Sequence, residues 1–104
     1  MPEPIPLVPV MTPHRFEEEV HQRAKFSHMV VQTDHLGERM RERGITFRQV
    51  LNALRKGSLK RPPRFNGSHA TYEGEMTYHG TGREITVVCA IRRNELIVFA
   101  VTVY

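Results

Sequence analysis

His69-Ala70-Thr71-Tyr72-Glu73-Gly74-Glu75-Met76-Thr77-Tyr78-His79 alternates apolar and polar residues with a period of two. Successive side chains of a strand point to opposite faces, so Ala70, Tyr72, Met76 and Tyr78 predict one buried face. His69, Thr71, Glu73, Glu75, Thr77 and His79 predict a polar face behind it. Gly80-Thr81-Gly82 turns the chain into a second strand, Ile85–Ile91, and Arg93-Asn94 turns it into a third, Leu96–Val103. That last run is apolar on both faces, which predicts a central, doubly covered strand. Upstream, Asn66-Gly67 is a hairpin signal. Pro62-Pro63 restricts Leu59–Phe65 to an irregular or edge strand, because proline has no N–H for the ladder.

The first half reads at a helical period. Thr12-Pro13 combines a hydroxyl N-cap with proline at the first helical position, and opens a helix that reaches Lys25. Phe16, Val20 and Ala24 form its buried stripe; Glu17 to Glu19 early and Arg23 and Lys25 late suit the helix dipole. The segment reads as scaffold. Met29-Val30-Val31 is a short strand or a link to the next helix. In Thr33-Asp34-His35-Leu36-Gly37-Glu38-Arg39-Met40-Arg41-Glu42-Arg43-Gly44, steps of four align His35, Arg39 and Arg43 on one slanted polar ridge. Leu36 and Met40 form the apolar ridge beside it. Gly44 suits the left-handed position that ends a helix. Thr46-Phe47-Arg48-Gln49 reads as a capping box opening a helix to Lys56, with Phe47, Val50, Leu51 and Leu54 on one face. The expected architecture is α+β: N-terminal helices packed on a three- to four-stranded antiparallel sheet. One domain, 13–104, would follow a proline-rich extended tail, 1–12.

A net charge of +4 and a pI near 9.7 favour a polyanionic partner such as RNA. A single cysteine, Cys89, lies in an apolar run and excludes an internal disulfide or a Cys-based zinc cluster. No apolar stretch reaches the ~20 residues needed to span a bilayer. The opening residues have neither the basic nor the apolar region of a signal peptide. These features predict a cytoplasmic protein with no membrane partner. His14, His21, His28 and His35 recur every seven residues, which separates neighbours on one helix by ~10.5 Å. That is too far to chelate one ion, so no metal and no other cofactor is expected.

Two readings of the polar groups stay open. In the first, His35 acts as an acid/base or phosphate contact and Arg39 as a phosphate clamp, with Arg92 and Tyr104 approaching the polar face of Glu73, Glu75 and His79. A carboxylate, an imidazole, a guanidinium and a phenol in one hollow are what metal-free phosphodiester cleavage needs. Arg43, Lys60, Arg61 and Arg64 would track the phosphate backbone. In the second reading, Glu38 and Glu42 pair with these cations, and the rest is solvated surface.

His35-x3-Arg39-Met40-x2-Arg43-Gly44-Ile45, then Tyr78-x-Gly80, Arg83 and the closing Thr102-Val103-Tyr104, resembles a widespread bacterial family of small proteins. Its members read His-Ala-x-x-Arg-Met-x-x-Arg-Gly-Ile and finish in Thr-Val-Tyr. That family is itself similar to toxins of the RelE/ParE/BrnT type, and the resemblance covers roughly residues 28–104. It implies a RelE-like fold in a toxin–antitoxin or mobile-element protein. In the RelE branch the activity would be metal-independent mRNA cleavage on the ribosome, with Arg83 joining the nucleic-acid contacts; in the ParE branch it would be inhibition of another protein. The expected function is therefore RNA binding, extending to ribonuclease chemistry, with RNA, the ribosome or an antitoxin-like protein as partner. The alternative is a non-enzymatic interaction module of such a system. A third reading takes the two short helices as a DNA-binding helix-turn-helix.

Overall fold

The computed structural model describes residues 11–80 and 82–104. Most of the expected extended tail, residues 1–10, lies outside them. The first helix, α1 (Pro13–Ala24), starts as its sequence dictates: Thr12 Oγ1 accepts from the Arg15 N–H at 3.2 Å, and Phe16, Val20 and Ala24 are fully buried. A single 3-10 turn (Ser27–Met29) leads to β1 (Val30–Gln32). Thr33 caps α2 (Asp34–Arg43), and Gly44 ends it in the left-handed conformation at φ 62°. The capping box of α3 (Phe47–Lys56) is complete: Thr46 Oγ1 accepts from Gln49 N at 3.2 Å, and Gln49 Oε1 accepts from Thr46 N at 2.8 Å.

The remaining strands are β2 (Ser58–Leu59), β3 (Arg64–Asn66), β4 (Thr71–Gly80), β5 (Arg83–Ile91) and β6 (Val98–Val103). The sheet is mixed and has six strands in the order β1-β6-β5-β4-β2, with β3 also on β4. The expected three or four antiparallel strands are thus corrected twice. First, β1 joins β6 in parallel, Val30 opposite Val98. No hairpin links these two strands, so nothing forces them antiparallel. Second, the Leu59–Phe65 segment divides into two short strands separated by Pro62-Pro63, which cannot donate to β4. The strand expected from His69 begins only at Thr71, because Ala70 closes the preceding turn in the left-handed conformation at φ 53°.

All three helices cover one face of the sheet. Tyr72, Met76, Ile85, Val87, Cys89, Ile91, Val98, Ala100 and Val103 point into a core completed by Phe16, Val20, Leu36, Val50 and Leu54. Burial in this apolar setting pushes the Cys89 thiol well above its ordinary range, so it stays protonated. Gly74 is required where Phe16 crosses β4: a Cβ there would lie 2.7 Å from Phe16 Cε1 and 2.9 Å from Leu59 Cδ2. Among the described residues the other face has no helix. The expected double coverage of β6 is accordingly not met; on its open side half-buried Phe99 lies under the Arg92 guanidinium, 5.2 Å from the ring centroid.

Two features fix the positions of everything else. A bulge interrupts β6: Cys89 pairs with Ala100 but Val88 pairs with Thr102, leaving Val101 unmatched. The extra residue reverses the alternation, so Val103 faces the core and Tyr104 turns to the open face beside Thr86. Thr33 secures the bulge from the helix layer, its hydroxyl donating to Val101 O at 2.8 Å while accepting from Leu36 N at 3.1 Å. The second feature is Arg23, buried at 7% exposure in a helix read as plain scaffold. Its guanidinium pairs with Glu19 and donates to Arg92 O at 3.0 Å and to Glu95 O at 2.8 Å, clamping the β5–β6 turn to α1. No helix among the described residues is long and apolar enough to cross a membrane.

Candidate functional site

The double proline that splits the edge strand also makes a hollow. Lys60 N still donates to Glu75 O at 3.1 Å, but residues 61–63 bow away from β4 before Arg64 rejoins it opposite Glu73. The resulting cavity, about 240 Å³, opens on the open face and is lined by Arg61, Pro62, Arg64, Glu73, Gly74, Glu75 and Val88. Two guanidiniums and two carboxylates share it, yet among the described residues none of the four forms an ion pair with another. Opposite charges held apart at the rim of one hollow leave both free for a ligand that carries both complements.

Tyr104 stands beside the hollow. Its side chain and that of Glu75 meet over β5, together bridging two strand spacings, roughly 10 Å, and the Tyr104 hydroxyl donates to Glu75 Oε1. The ammonium of Lys60 sits 5.9 Å from the ring centroid. The hydrogen bond to Glu75 comes first in raising the phenol above its usual pKa, with desolvation and the carboxylate charge adding to it and Arg61 opposing. Beneath the ring, Thr77 and Thr86 share a 3.0 Å hydroxyl contact, and Thr86 is only 2% exposed. On the other side, Glu73 is held by Asn66 and Thr71: Asn66 Nδ2 donates to Oε2 at 2.9 Å, and Thr71 Oγ1 to the same oxygen at 3.3 Å. Asn66 is itself fixed by accepting from Ser68 N at 3.0 Å in the turn before β4.

Of the residues read from the sequence as a catalytic group, only Tyr104 reaches this hollow. Arg92 lies six residues along the chain from Thr86, the strand partner of Tyr104, or roughly 20 Å at the rise of a strand. It is engaged there, donating to His69 O at 3.0 Å and pairing with Glu95 at 3.2 Å. His35 and Arg39 belong to the helix layer, since α2 packs through Leu36 on the core side of the sheet. His35 lies 4.0 Å from Glu38, and Arg39 lies 3.4 Å from Glu42. The four groups therefore do not converge, because α2 and the open face flank the sheet on opposite sides.

The basic residues divide in the same way. Arg61 and Arg64 line the hollow and Lys60 lies over the Tyr104 ring, whereas Arg83 caps α2, donating to Arg43 O at 2.6 Å and to Gly44 O at 3.3 Å. Arg43 is exposed at that helix end. Glu73 and Glu75 were read only as part of a polar face. The signal that marks them is their i,i+2 spacing opposite an edge strand that carries arginines on both sides of a proline pair. Among the described residues no group of three or more His, Cys, Asp or Glu could hold a metal ion.

A family model described as a domain of unknown function, DUF4258, matches residues 32–104. The chain belongs to that family. No curated protein and no solved structure matches it. The DUF4258 region begins at the end of β1 and includes the whole hollow, the Thr33-secured bulge and Tyr104. The first helix precedes it, joined through Arg23 and through Arg55, whose Nε donates to Ala24 O at 2.6 Å.

Proposed function

We propose that this DUF4258 protein is a RelE/BrnT-like, toxin-type protein that binds single-stranded RNA on the open face of its sheet and cleaves it without a metal. The observation carrying the reading is the hollow itself: Lys60, Arg61 and Arg64 stand beside a hydrogen-bonded carboxylate and phenol. In the reaction, Glu75 takes the proton of the ribose 2′-OH. The 2′-oxygen forms a bond to phosphorus while the bond to the 5′-oxygen breaks, and Lys60 and Arg61 neutralise the charge that builds on the phosphoryl oxygens. Tyr104, kept protonated by its raised pKa, supplies the proton to the leaving 5′-oxygen. The products are a 2′,3′-cyclic phosphate and a 5′-hydroxyl end.

Binding and cleavage are measured with labelled single-stranded RNA in excess EDTA. Three cations neutralising three phosphates give a slope of about −2 in log K against log salt, and Arg61→Ala with Arg64→Ala reduces it to about −0.7. Glu75→Gln retains binding and loses cleavage. Loss of cleavage in His35→Ala/Arg39→Ala with the hollow intact would instead move the chemistry to the helix layer. Absence of RNA binding at low salt refutes the proposal.

One observation favours the non-enzymatic alternative, a module that holds a partner protein such as an antitoxin. Phe26 and Leu96 are 60% and 74% exposed, and together with Met29 they line a second hollow of about 260 Å³. Among the described residues β1 is the last strand at that end of the sheet, with no strand on its outer edge. Harmless expression in cells, together with no RNA binding, is the result that this alternative expects.

A further inference from the structure

Resting on the RNA reading of the same hollow, we infer that Glu73, the carboxylate that the cleavage step does not use, selects guanine at the bound base. Glu73 forms no ion pair with Arg64; its Oε2 accepts instead from Asn66 and Thr71. Its Oε1 has no hydrogen-bond partner among the described residues, whereas Glu75 is engaged through Oε1 by the Tyr104 hydroxyl. Glu73 lines the cavity. An ionised carboxylate only accepts hydrogen bonds. Pro62 has no N–H to offer, and Val88 provides an apolar floor for a flat ring. Arg61 and Arg64, which line the same cavity, take the phosphate as the anionic end of the ligand.

A wall of acceptors ranks the four bases by their donors. Guanine presents N1–H and the N2 amino group side by side, with no acceptor between them. Adenine and cytosine each offer one amino group next to a ring-nitrogen acceptor, which the carboxylate repels. Uracil has a single N–H between two carbonyl oxygens. Sequence-specific RNA binding reads single-stranded bases on these edges. Guanine is the base whose paired donors the Glu73 carboxylate retains best.

The test uses fluorescence anisotropy with labelled ten-residue oligouridines carrying one central guanosine, inosine, adenosine or cytidine. Guanosine is expected to bind about tenfold more tightly than adenosine or cytidine, with inosine, which lacks the N2 amino group, between them. Glu73→Gln turns an acceptor into a donor on the cavity wall. It should abolish the guanosine preference while binding oligouridine at least as well, because a charge that repels phosphate is gone. The wild-type ranking stands independently of whether that variant folds. Equal affinity for all four oligonucleotides overturns guanine selection and leaves the RNA reading standing. A guanosine preference that survives in Glu73→Gln also overturns it. No binding to any of them removes the RNA reading as well.

Discussion

Thr33→Val replaces a hydroxyl by a methyl of nearly the same shape, and in this chain it removes two interactions at once. The Leu36 N–H loses its acceptor at the start of α2, and Val101 O loses its donor in the bulge. Loss of an N-cap costs about 1 kcal/mol, and a bulge carbonyl left without a donor costs about another 1 kcal/mol. The expected destabilisation is therefore about 2 kcal/mol, or roughly 8–16 °C in Tm for a domain of this size. Thr33→Ser should recover most of it. A urea melt followed by circular dichroism measures the change, with an unaltered m-value showing that the cooperative unit is unchanged.

The same variant has a second readout at the far end of the bulge. The Tyr104 phenol ionises above the usual value of about 10 because its hydroxyl donates to Glu75. For a raised folded pKa, the stability from that contact is present below the unfolded pKa and fades as pH rises through the folded one. If the bulge relaxes in Thr33→Val, residue 104 leaves the open face and its ionisation returns toward the ordinary value. Ultraviolet titration, with Tyr104→Phe subtracted to remove Tyr72 and Tyr78, follows that group alone. A Thr33→Val protein within 0.5 kcal/mol of the parent, with an unchanged Tyr104 titration, refutes the assignment of Thr33 as the support of the bulge.

Arg23→Met should cost about 3 kcal/mol, because it orphans the carbonyls of Arg92 and Glu95 and leaves Glu19 without its closest partner. Glu19 is held below the ordinary carboxylate range chiefly by Arg23, so its contribution is present above the unfolded pKa and lost as pH falls through the folded one. Chemical denaturation from pH 6 down to about pH 3, the acidic side of the ordinary carboxylate range, should show a shallower acid loss in the variant than in the parent. Gly74→Ala forces a Cβ against fully buried Phe16 and should destabilise by about 1–2 kcal/mol after the gain in chain stiffness is allowed for. Combining it with Phe16→Leu should recover part of that loss, and a thermal melt of the single and double variants decides it.

The helices were legible because their ends are written in chemistry that acts locally. Thr12-Pro13, Thr33, Gly44 and the Thr46–Gln49 pair each satisfy or stop a backbone within four residues. The polar face of β4 was equally plain, since Glu73, Glu75 and Thr77 alternate with Tyr72 and Met76. What failed depends on partners far along the chain. In Leu96–Val103 every residue but Thr102 is apolar, so the run carries no mark of the bulge that turns Tyr104 to the open face. The ridge of His35 and Arg39 was correctly aligned on its helix, but a helical wheel does not say on which side of a sheet that helix lies. Arg23 looked like a dipole-compensating surface cation; its burial depends on carbonyls some seventy residues away.

The split edge separates architecture from selectivity. Ser58 and Leu59 are pinned to Thr77 and Met76, and Arg64 to Asn66 are pinned to Glu73, Tyr72 and Thr71. The four residues between these anchors contribute nothing to the buried core. They form an exchangeable cassette whose length and side chains can drift while the scaffold stays constant. Relatives with other residues at 60–63 would share one frame and differ in what they grip, and a library randomised there would sample new ligands without sampling new folds.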